Sequence, residues 1–224
     1  MKRTAEALKS LPGEKPAALI PDENALTARQ FARRKRIVAA ALDLAASGGY
    51  EAVQMRAVAA RAKVALGTLY RYFSSKDQLL AFTWADWSQE LEANLYRHPL
   101  RGSSSGERIM DFVRRATRAL EREPKLASAL IKSLLSPDRN AEEPRKKVGA
   151  VMGRVVDEEL QILEPRDRAG IRDILGQVWY ANLLMWVSGR TPVQDLYQNM
   201  ETACCLLLAR PGESALNYRD NRLN

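Results

Sequence analysis

The sequence predicts an all-α fold with about nine helices, and three observations support this class. Apolar residues recur at helical spacing in long segments from residue 28 onward. Pro124, Pro144 and Pro192 stand at or near the start of such segments, where the missing proline N–H costs a helix nothing. No segment combines two-residue alternation with flanking turn signals, as a strand would.

The predicted helices follow one another closely along the chain. They cover about residues 28–48, 55–62, 65–73, 76–96, 107–122, 124–135, 143–163, 166–188 and 192–208. Gly48-Gly49 ends the first helix, because glycine adopts the left-handed conformation cheaply. Ser74 and Ser75 can cap the fourth, and Ser75 with Gln78 has the spacing of a capping box.

Size and composition favour a protein with a substantial core and no membrane partner. The chain has 224 residues, of which 46% are hydrophobic. No apolar run approaches the length needed to cross a bilayer, and the N-terminal segment contains no apolar signal core. We therefore expect a cytoplasmic location.

The net positive charge is confined to one end of the chain. Residues 1–76 hold 14 Lys and Arg against 6 Asp and Glu, whereas residues 77–224 hold 21 of each kind. Basic charge restricted to one domain is typical of a surface that binds nucleic acid phosphates.

Residues 54–80 read as two short helices around a sharp turn at residues 62–64, followed by a capped third helix. This is the pattern of a helix-turn-helix, in which the second helix enters the major groove. That second helix offers close backbone approach, hydroxyl donors and a cation, carried by Gly67, Thr68, Tyr70, Arg71 and Tyr72.

Other basic residues extend the predicted DNA-binding surface. Arg56 can reach a guanine edge or a phosphate, and Lys76 lies where a phosphate would meet the N-terminus of the fourth helix. Arg33 and Arg34 belong to a basic run that favours phosphate steering. The alternative is that these are ordinary surface residues of a helical hairpin and that the tyrosines are half-buried core.

The motif GTLYRYF followed by Ser and Lys closely resembles the DNA-binding domain of TetR-family transcriptional repressors, over about residues 30–80. The resemblance implies an all-helical homodimer that binds operator DNA with its three N-terminal helices and a small inducer with its C-terminal bundle. It also adds Gln54 and Leu66 to the expected DNA contacts. Two departures stand out: Lys63 replaces a common glycine in the turn, and Val53-Gln54 replaces a common Ser or Thr cap.

A narrower likeness points to the KstR-type cholesterol-catabolism regulators of the same family. It is carried by the segments RRKRIVAAALDLAASGGYEAVQMRAVAARAKVALGTLYRYF and QVWYANLLMWVSGR. The resemblance implies a large apolar inducer, a steroid or fatty acyl-CoA thioester.

The C-terminal half contains helices that are apolar on nearly every face. Residues 171–187 and 203–209 must each be buried on two sides, which favours a four-helix interface between two copies of the chain. A core helix in a monomer is the alternative. The candidate ligand residues, which are otherwise plain core, are Phe112, Leu130, Leu134, Met152, Val155, Trp179, Asn182, Leu183 and Trp186.

The sequence does not favour catalysis. His98 is the only histidine, so a general acid–base pair lacks a partner, and adjacent Cys204 and Cys205 are inadequate for a zinc site. We predict no catalytic residue, no metal and no cofactor. The basic cluster at residues 145–147 either meets CoA phosphates or is solvated surface.

The expected organisation therefore has four parts. Residues 1–27 form a disordered basic arm, 28–76 a helix-turn-helix DNA-binding domain, 77–210 a ligand-binding and dimerisation domain, and 211–224 a flexible tail. The expected function is a repressor released from a palindromic double-stranded DNA operator by its inducer. The competing class is a non-regulatory helical adaptor or architectural protein that binds acidic partners.

Overall fold

The computed structural model describes residues 27–208 of the chain. The predicted basic arm, apart from Thr27, and the predicted tail at 211–224 lie outside these residues. Within the described range the chain forms nine α-helices, which are α1 Ala28–Ala52, α2 Met55–Arg61, α3 Leu66–Tyr72, α4 Lys76–Arg97, α5 Ser105–Glu121, α6 Pro124–Leu134, α7 Glu142–Glu159, α8 Pro165–Val187 and α9 Val193–Leu208. The all-α prediction is confirmed.

The predicted boundaries hold to within about two residues, except at α1 and α7. A 3-10 turn, Arg139–Ala141, precedes α7 and was not expected. The helix itself ends at Glu159, four residues before the predicted end. The hydroxyl of Ser105 donates to the Glu159 carbonyl at 2.9 Å, so a neighbouring helix supplies the hydrogen bond that the helix end lacks.

Helix α1 begins and breaks at local sequence signals. The Thr27 hydroxyl accepts from the Gln30 N–H at 3.4 Å, and the Gln30 side chain accepts from the Thr27 N–H at 2.8 Å. This reciprocal pair is a capping box. Gly49 has φ 71° and ψ −162°, which breaks the helical path as predicted, although one further turn carries α1 on to Ala52.

The first three helices pack around a small apolar core. Ile37 of α1, Val58 of α2 and Leu69 of α3 are fully buried. Ala59 and Ala62 are nearly so, and their small side chains let α2 and α3 approach closely across the turn. The core thus fixes the angle at which α3 is presented.

The turn between α2 and α3 forces a lysine into the left-handed region. Lys63 has φ 54°. Its N–H donates to the Ala60 carbonyl at 3.2 Å, and the Val64 N–H donates to the Ala59 carbonyl at 3.0 Å. This pair of bonds is a Schellman motif, which usually has glycine at the left-handed position. The lysine accepts the unfavourable backbone conformation and leaves the motif intact.

Helix α4 begins with a side-chain cap that differs from the predicted capping box. The Ser75 hydroxyl accepts from the Gln78 N–H at 3.0 Å, as expected. The Gln78 side chain, however, accepts from the Ser74 N–H at 2.6 Å instead of the Ser75 N–H. The reciprocal bond is thereby shifted by one residue.

The remaining helices form a bundle around α4. Helices α6 and α7 pack on α4, α8 packs on α7 and α9, and α5 packs on α9. Helix α1 lies along α6 and joins the N-terminal domain to the bundle. None of the helices in the described part of the chain is long and apolar enough to span a membrane.

Replacing Lys63 with glycine is expected to stabilise the protein by about 1 kcal/mol, because glycine has no Cβ to clash in the left-handed conformation. The change in the free energy of unfolding is measured by urea titration followed by circular dichroism. Lys63→Ala is the matched control, since it removes the charge but keeps the Cβ. If the glycine variant is no more stable than the alanine variant, the turn carries no strain.

Candidate functional site

Helix α3 turns one face outward and the other into the core. Leu69 and the following Phe73 are fully buried, whereas Gly67, Tyr70 and Arg71 are exposed. A Cβ added at Gly67 would meet no protein atom within 4 Å, so the fold itself does not require glycine there. A bare, exposed backbone at this position suits close approach to another molecule.

The flanking predicted residues are also exposed or partly exposed. Gln54 and Arg56 are exposed at the start of α2, and Leu66 and Thr68 are partly exposed. Gln54 is the N-cap of α2 and makes no side-chain capping bond, so its amide stays available. The prediction that these residues contact DNA stays a prediction, with their exposure in its favour.

Tyr72 differs from Tyr70 in its surroundings. Tyr70 is 46% exposed, whereas Tyr72 is only 5% exposed and its ring belongs to the core. The bulk of Tyr72 therefore supports the domain. Contact with DNA is limited to the small part of its surface that remains accessible, a correction to the equal roles expected for the two tyrosines.

Arg34 is the clearest departure from the predicted surface. Its side chain is 3% exposed, and its guanidinium carbon lies 4.9 Å from the ring centre of Phe82 on α4 and 5.7 Å from that of Phe31. These are cation–π distances. Arg34 shares the helical face of Ile37 and Val38, which are buried, and this spacing marked it as inward. It braces α1 against α4, whereas Arg33 is partly exposed.

Lys76 lies in a cluster that sequence reasoning did not predict. Its ammonium is 3.7 Å from the ring centre of Tyr50 and 3.9 Å from a carboxylate oxygen of Glu51. The Tyr50 hydroxyl donates to Asp77 at 2.5 Å. Burial and this hydrogen bond raise the pKa of Tyr50 above its usual range. The phenol therefore stays protonated, and the cluster holds Lys76 beside α3.

A cavity of about 780 Å³ opens within the C-terminal bundle. Its volume falls in the range of small-molecule sites. The apolar wall includes four residues from the predicted set, Leu134, Met152, Trp179 and Leu183, together with Trp84 and Val148. Residues from four helices meet there, which no single stretch of sequence reveals.

The other predicted ligand residues do not line this cavity. Phe112, Leu130 and Val155 are close-packed core. The Asn182 amide donates to the Val178 carbonyl and accepts from Asn199, both at 2.7 Å. Trp186 borders a separate hollow of about 310 Å³. Helical spacing identified buried faces, but it does not distinguish a cavity wall from tightly packed core.

Three arginines on α7 and α8 line the cavity beside its apolar wall. Arg154 pairs with Glu92 of α4, with one contact at 2.6 Å. Arg172 pairs with Asp157 at 3.0 Å. Arg145 instead donates to the backbone carbonyls of the loop that follows α6.

The basic cluster at residues 145–147 therefore divides. Arg145 lines the cavity, whereas Lys146 points to Glu142 and Glu143 at 3.1 Å. Lys147 is exposed. Only one of the three cations is placed to meet a bound molecule in the cavity.

Tyr180 also lines the cavity. Its hydroxyl is buried and has no hydrogen-bond partner among residues 27–208. Burial raises the pKa of this phenol, and the charge of Arg145 opposes the shift. A buried donor without a partner is costly, and because this hydroxyl is closed off from water-sized molecules it does not present a donor to the cavity.

The last two helices leave large apolar side chains uncovered in the single chain. Ile174 of α8 is 45% exposed and Leu206 of α9 is 62% exposed. Such a surface suits an interface with a second copy of the chain.

The fold and these sites define a DNA-binding helix-turn-helix regulator with a ligand cavity in its helical bundle. Residues 37–81 match the model of bacterial regulatory proteins of the tetR family, and residues 102–207 match that of the tetracyclin repressor-like C-terminal domain. The chain belongs to the TetR family. Its members are transcription regulators and not enzymes, which confirms the prediction made from the sequence.

Individual relatives agree with this assignment. The chain is 37% identical over 193 residues to the HTH-type transcriptional repressor KstR of Rhodococcus jostii (strain RHA1), covering 86% of this chain and 90% of that protein. A TetR transcriptional regulator from Rhodococcus sp. RHA1 superposes with a TM-score of 0.73 at 30% identity, over 81% of this chain and 98% of that one.

A more distant structure shares the fold. Thermus thermophilus FadR, a TetR-family repressor solved in complex with lauroyl-CoA, gives a TM-score of 0.67 at 22% identity, over 81% of this chain and 97% of that one. The 37% identity to KstR of Rhodococcus jostii confirms the likeness to the KstR type. Nothing in these comparisons supports a non-regulatory adaptor.

Replacing Tyr70 with phenylalanine is expected to weaken operator binding about tenfold and leave the free energy of unfolding unchanged, because an exposed hydroxyl loses a phosphate contact. Fluorescence anisotropy with labelled operator DNA measures the affinity. Tyr197→Phe is the control, because that hydroxyl bonds Glu121 at 2.9 Å inside the bundle. Equal operator affinities for Tyr70→Phe and the wild type would show that the Tyr70 hydroxyl makes no contact with DNA.

Replacing Arg33 is expected to change DNA binding, whereas replacing Arg34 is expected to change the stability of the fold. Arg33→Ala should lower the slope of log affinity against log salt by about 0.9, the value for one lost phosphate contact. Arg34→Met should keep the wild-type slope and lower the free energy of unfolding, by about 1 kcal/mol for the lost cation–π contacts. If Arg34→Met also reduces the salt dependence of operator binding, Arg34 contacts DNA phosphate and the assignment to the core is wrong.

Proposed function

We propose that this chain is a homodimeric transcriptional repressor that leaves a palindromic operator when a large apolar molecule with an anionic group enters its cavity. An acyl-CoA or steroid-CoA thioester is the class of inducer proposed. We also propose a cytoplasmic location and retain the division into a DNA-binding domain at residues 28–76 and a ligand-binding and dimerisation domain at residues 77–210.

The cavity is the observation that carries the ligand class. An apolar wall of tryptophan, leucine, valine and methionine side chains suits a hydrocarbon body. Arginines at the same cavity suit phosphates or a carboxylate, which guanidinium binds with charge-assisted hydrogen bonds. The chain is similar to the KstR repressors, and FadR of Thermus thermophilus, which shares the fold, was solved with lauroyl-CoA.

The proposed DNA contacts are residues in or beside the first four helices that are exposed or partly exposed. They are Arg33, Gln54, Arg56, Leu66, Gly67, Thr68, Tyr70, Arg71 and Lys76, with the accessible edge of Tyr72. Two such surfaces must stand about 34–36 Å apart to enter successive turns of the major groove. Dimerisation through the exposed apolar faces of α8 and α9 would provide that pair.

The proposed switch is an equilibrium between two arrangements of the dimer. A ligand shifts it only by binding one arrangement more tightly than the other. The cavity borders α4, whose first turn follows α3 directly. A ligand that displaces α4 therefore changes the position of the reading helix.

A wedge in the cavity tests the assignment of the ligand site. Gly176 lines the cavity and has no atom within 4 Å of an added Cβ, so Gly176→Leu should fill the cavity and preserve the fold. We expect it to lower the affinity for lauroyl-CoA at least about tenfold, measured by calorimetry, without weakening operator binding.

The matched control is Gly170→Leu, on the same helix and also without neighbours, but outside the cavity. It should bind lauroyl-CoA as the wild type does. Free CoA and free laurate separate the contributions of the anionic and apolar parts. If thioesters neither bind nor release operator DNA from the wild type, the proposed ligand class is wrong.

A further inference from the structure

We propose that Arg145 is the residue that links cavity occupancy to the DNA-binding domain. Its guanidinium is bonded to the loop after α6, which is itself bonded to the first turn of α4. An anionic group on a bound molecule draws the guanidinium away and frees that turn. This inference rests on the proposed function and deepens it.

Arg145 differs from the other cavity arginines in its partners. Arg154 and Arg172 are each paired with carboxylates. Arg145 donates to the carbonyl oxygens of Ser136 and Asp138, the latter at 3.0 Å. No carboxylate lies within 4 Å of it among residues 27–208. Its positive charge is therefore the one left for an anionic ligand.

The loop that Arg145 holds is bonded to the start of α4. The Ser136 hydroxyl donates to the Asp77 carboxylate at 2.7 Å, and the Ser75 hydroxyl donates to the Asp138 carboxylate. Ser75 is also the N-cap of α4. Two side-chain bonds thus tie the loop to the residues that connect α3 with α4.

The same contacts continue to the proposed DNA surface. Asp77 accepts from Tyr50 through its other oxygen at 2.5 Å. The Tyr50 ring lies under the ammonium of Lys76 at 3.7 Å. Lys76 is a proposed phosphate contact. Arg145 is therefore connected to that cation by an unbroken series of polar contacts.

The chemistry predicts which molecules act as inducers. The Arg145 guanidinium is a cation that can give two parallel N–H bonds to one carboxylate or phosphate, so such an anion can compete with the neutral loop carbonyls for Arg145. A neutral molecule of the same shape can fill the apolar wall but leaves Arg145 on the loop.

The first experiment uses no ligand. Arg145→Met keeps the length of the side chain and removes the bonds to the loop. We expect faster hydrogen exchange at the amides of Gln78 and Asn140, which are bonded to Ser75 and Asp138, and about tenfold weaker operator binding. Lys146→Met is the matched control on α7 and should leave both quantities unchanged. Wild-type exchange and affinity in Arg145→Met would overturn the proposal.

The second experiment measures coupling with lauroyl-CoA as the probe. Coupling is reciprocal, so operator DNA should lower wild-type affinity for the probe by the factor with which the probe lowers operator affinity, about 5–150-fold. Ser136→Ala should bind the probe normally without DNA, and operator DNA should lower its affinity for the probe by a smaller factor than in the wild type, because only the Ser75–Asp138 bond still ties the loop to α4. Full wild-type coupling in Ser136→Ala would overturn the proposed relay, that is, the series of contacts from Arg145 through Ser136 and Asp77 to Lys76.

The two arms separate failure of the relay from failure of the proposed function. If lauroyl-CoA does not bind the wild type, the proposed ligand class fails for this thioester. The exchange and operator measurements on Arg145→Met still decide the relay. Dodecane-1-ol, a neutral probe of the same chain length, is expected to leave operator binding unchanged, and release by it would overturn the role of the anionic group.

Discussion

The docking of the small N-terminal domain onto the helical bundle is the constraint on which the rest of this structure depends. Helix α1 lies along α6, and Arg34 of α1 stacks against Phe82 of α4. The Lys125 ammonium also donates to the Ser47 carbonyl at 2.9 Å. Because α3 is held by the same small core as α1, its direction is fixed relative to the bundle.

This docking explains why some cations serve the fold and others remain available to DNA. A guanidinium that is removed from water must gain compensating contacts, and Arg34 finds them on two aromatic rings. Arg56 and Arg71 are exposed and keep their charge at the surface. The basic domain is therefore not uniformly a DNA-binding surface, because one of its arginines serves as a structural joint.

In the C-terminal bundle, tightly packed side chains lie directly beside the cavity. Phe112 packs edge-on against Trp179 at 5.7 Å, and the indole N–H of Trp179 donates to Thr117 at 3.3 Å. This fixes a large ring that also forms part of the cavity wall. The ion pairs Arg154–Glu92 and Arg172–Asp157 fix other side chains along the same cavity.

Local patterns in the chain were sufficient for the class of fold and for the DNA-binding helix. Glycine breaks, serine caps and apolar spacing act over a few residues, so the sequence alone determined nine helices, the turn at Lys63 and the exposed residues of α3. The tertiary structure decided which buried faces meet as a cavity, that Arg34 is buried, and that Arg145 reaches the loop beside Asp77. These features depend on side chains far apart in the sequence, brought together by the angles at which helices pack, and those angles are not encoded in any single helix.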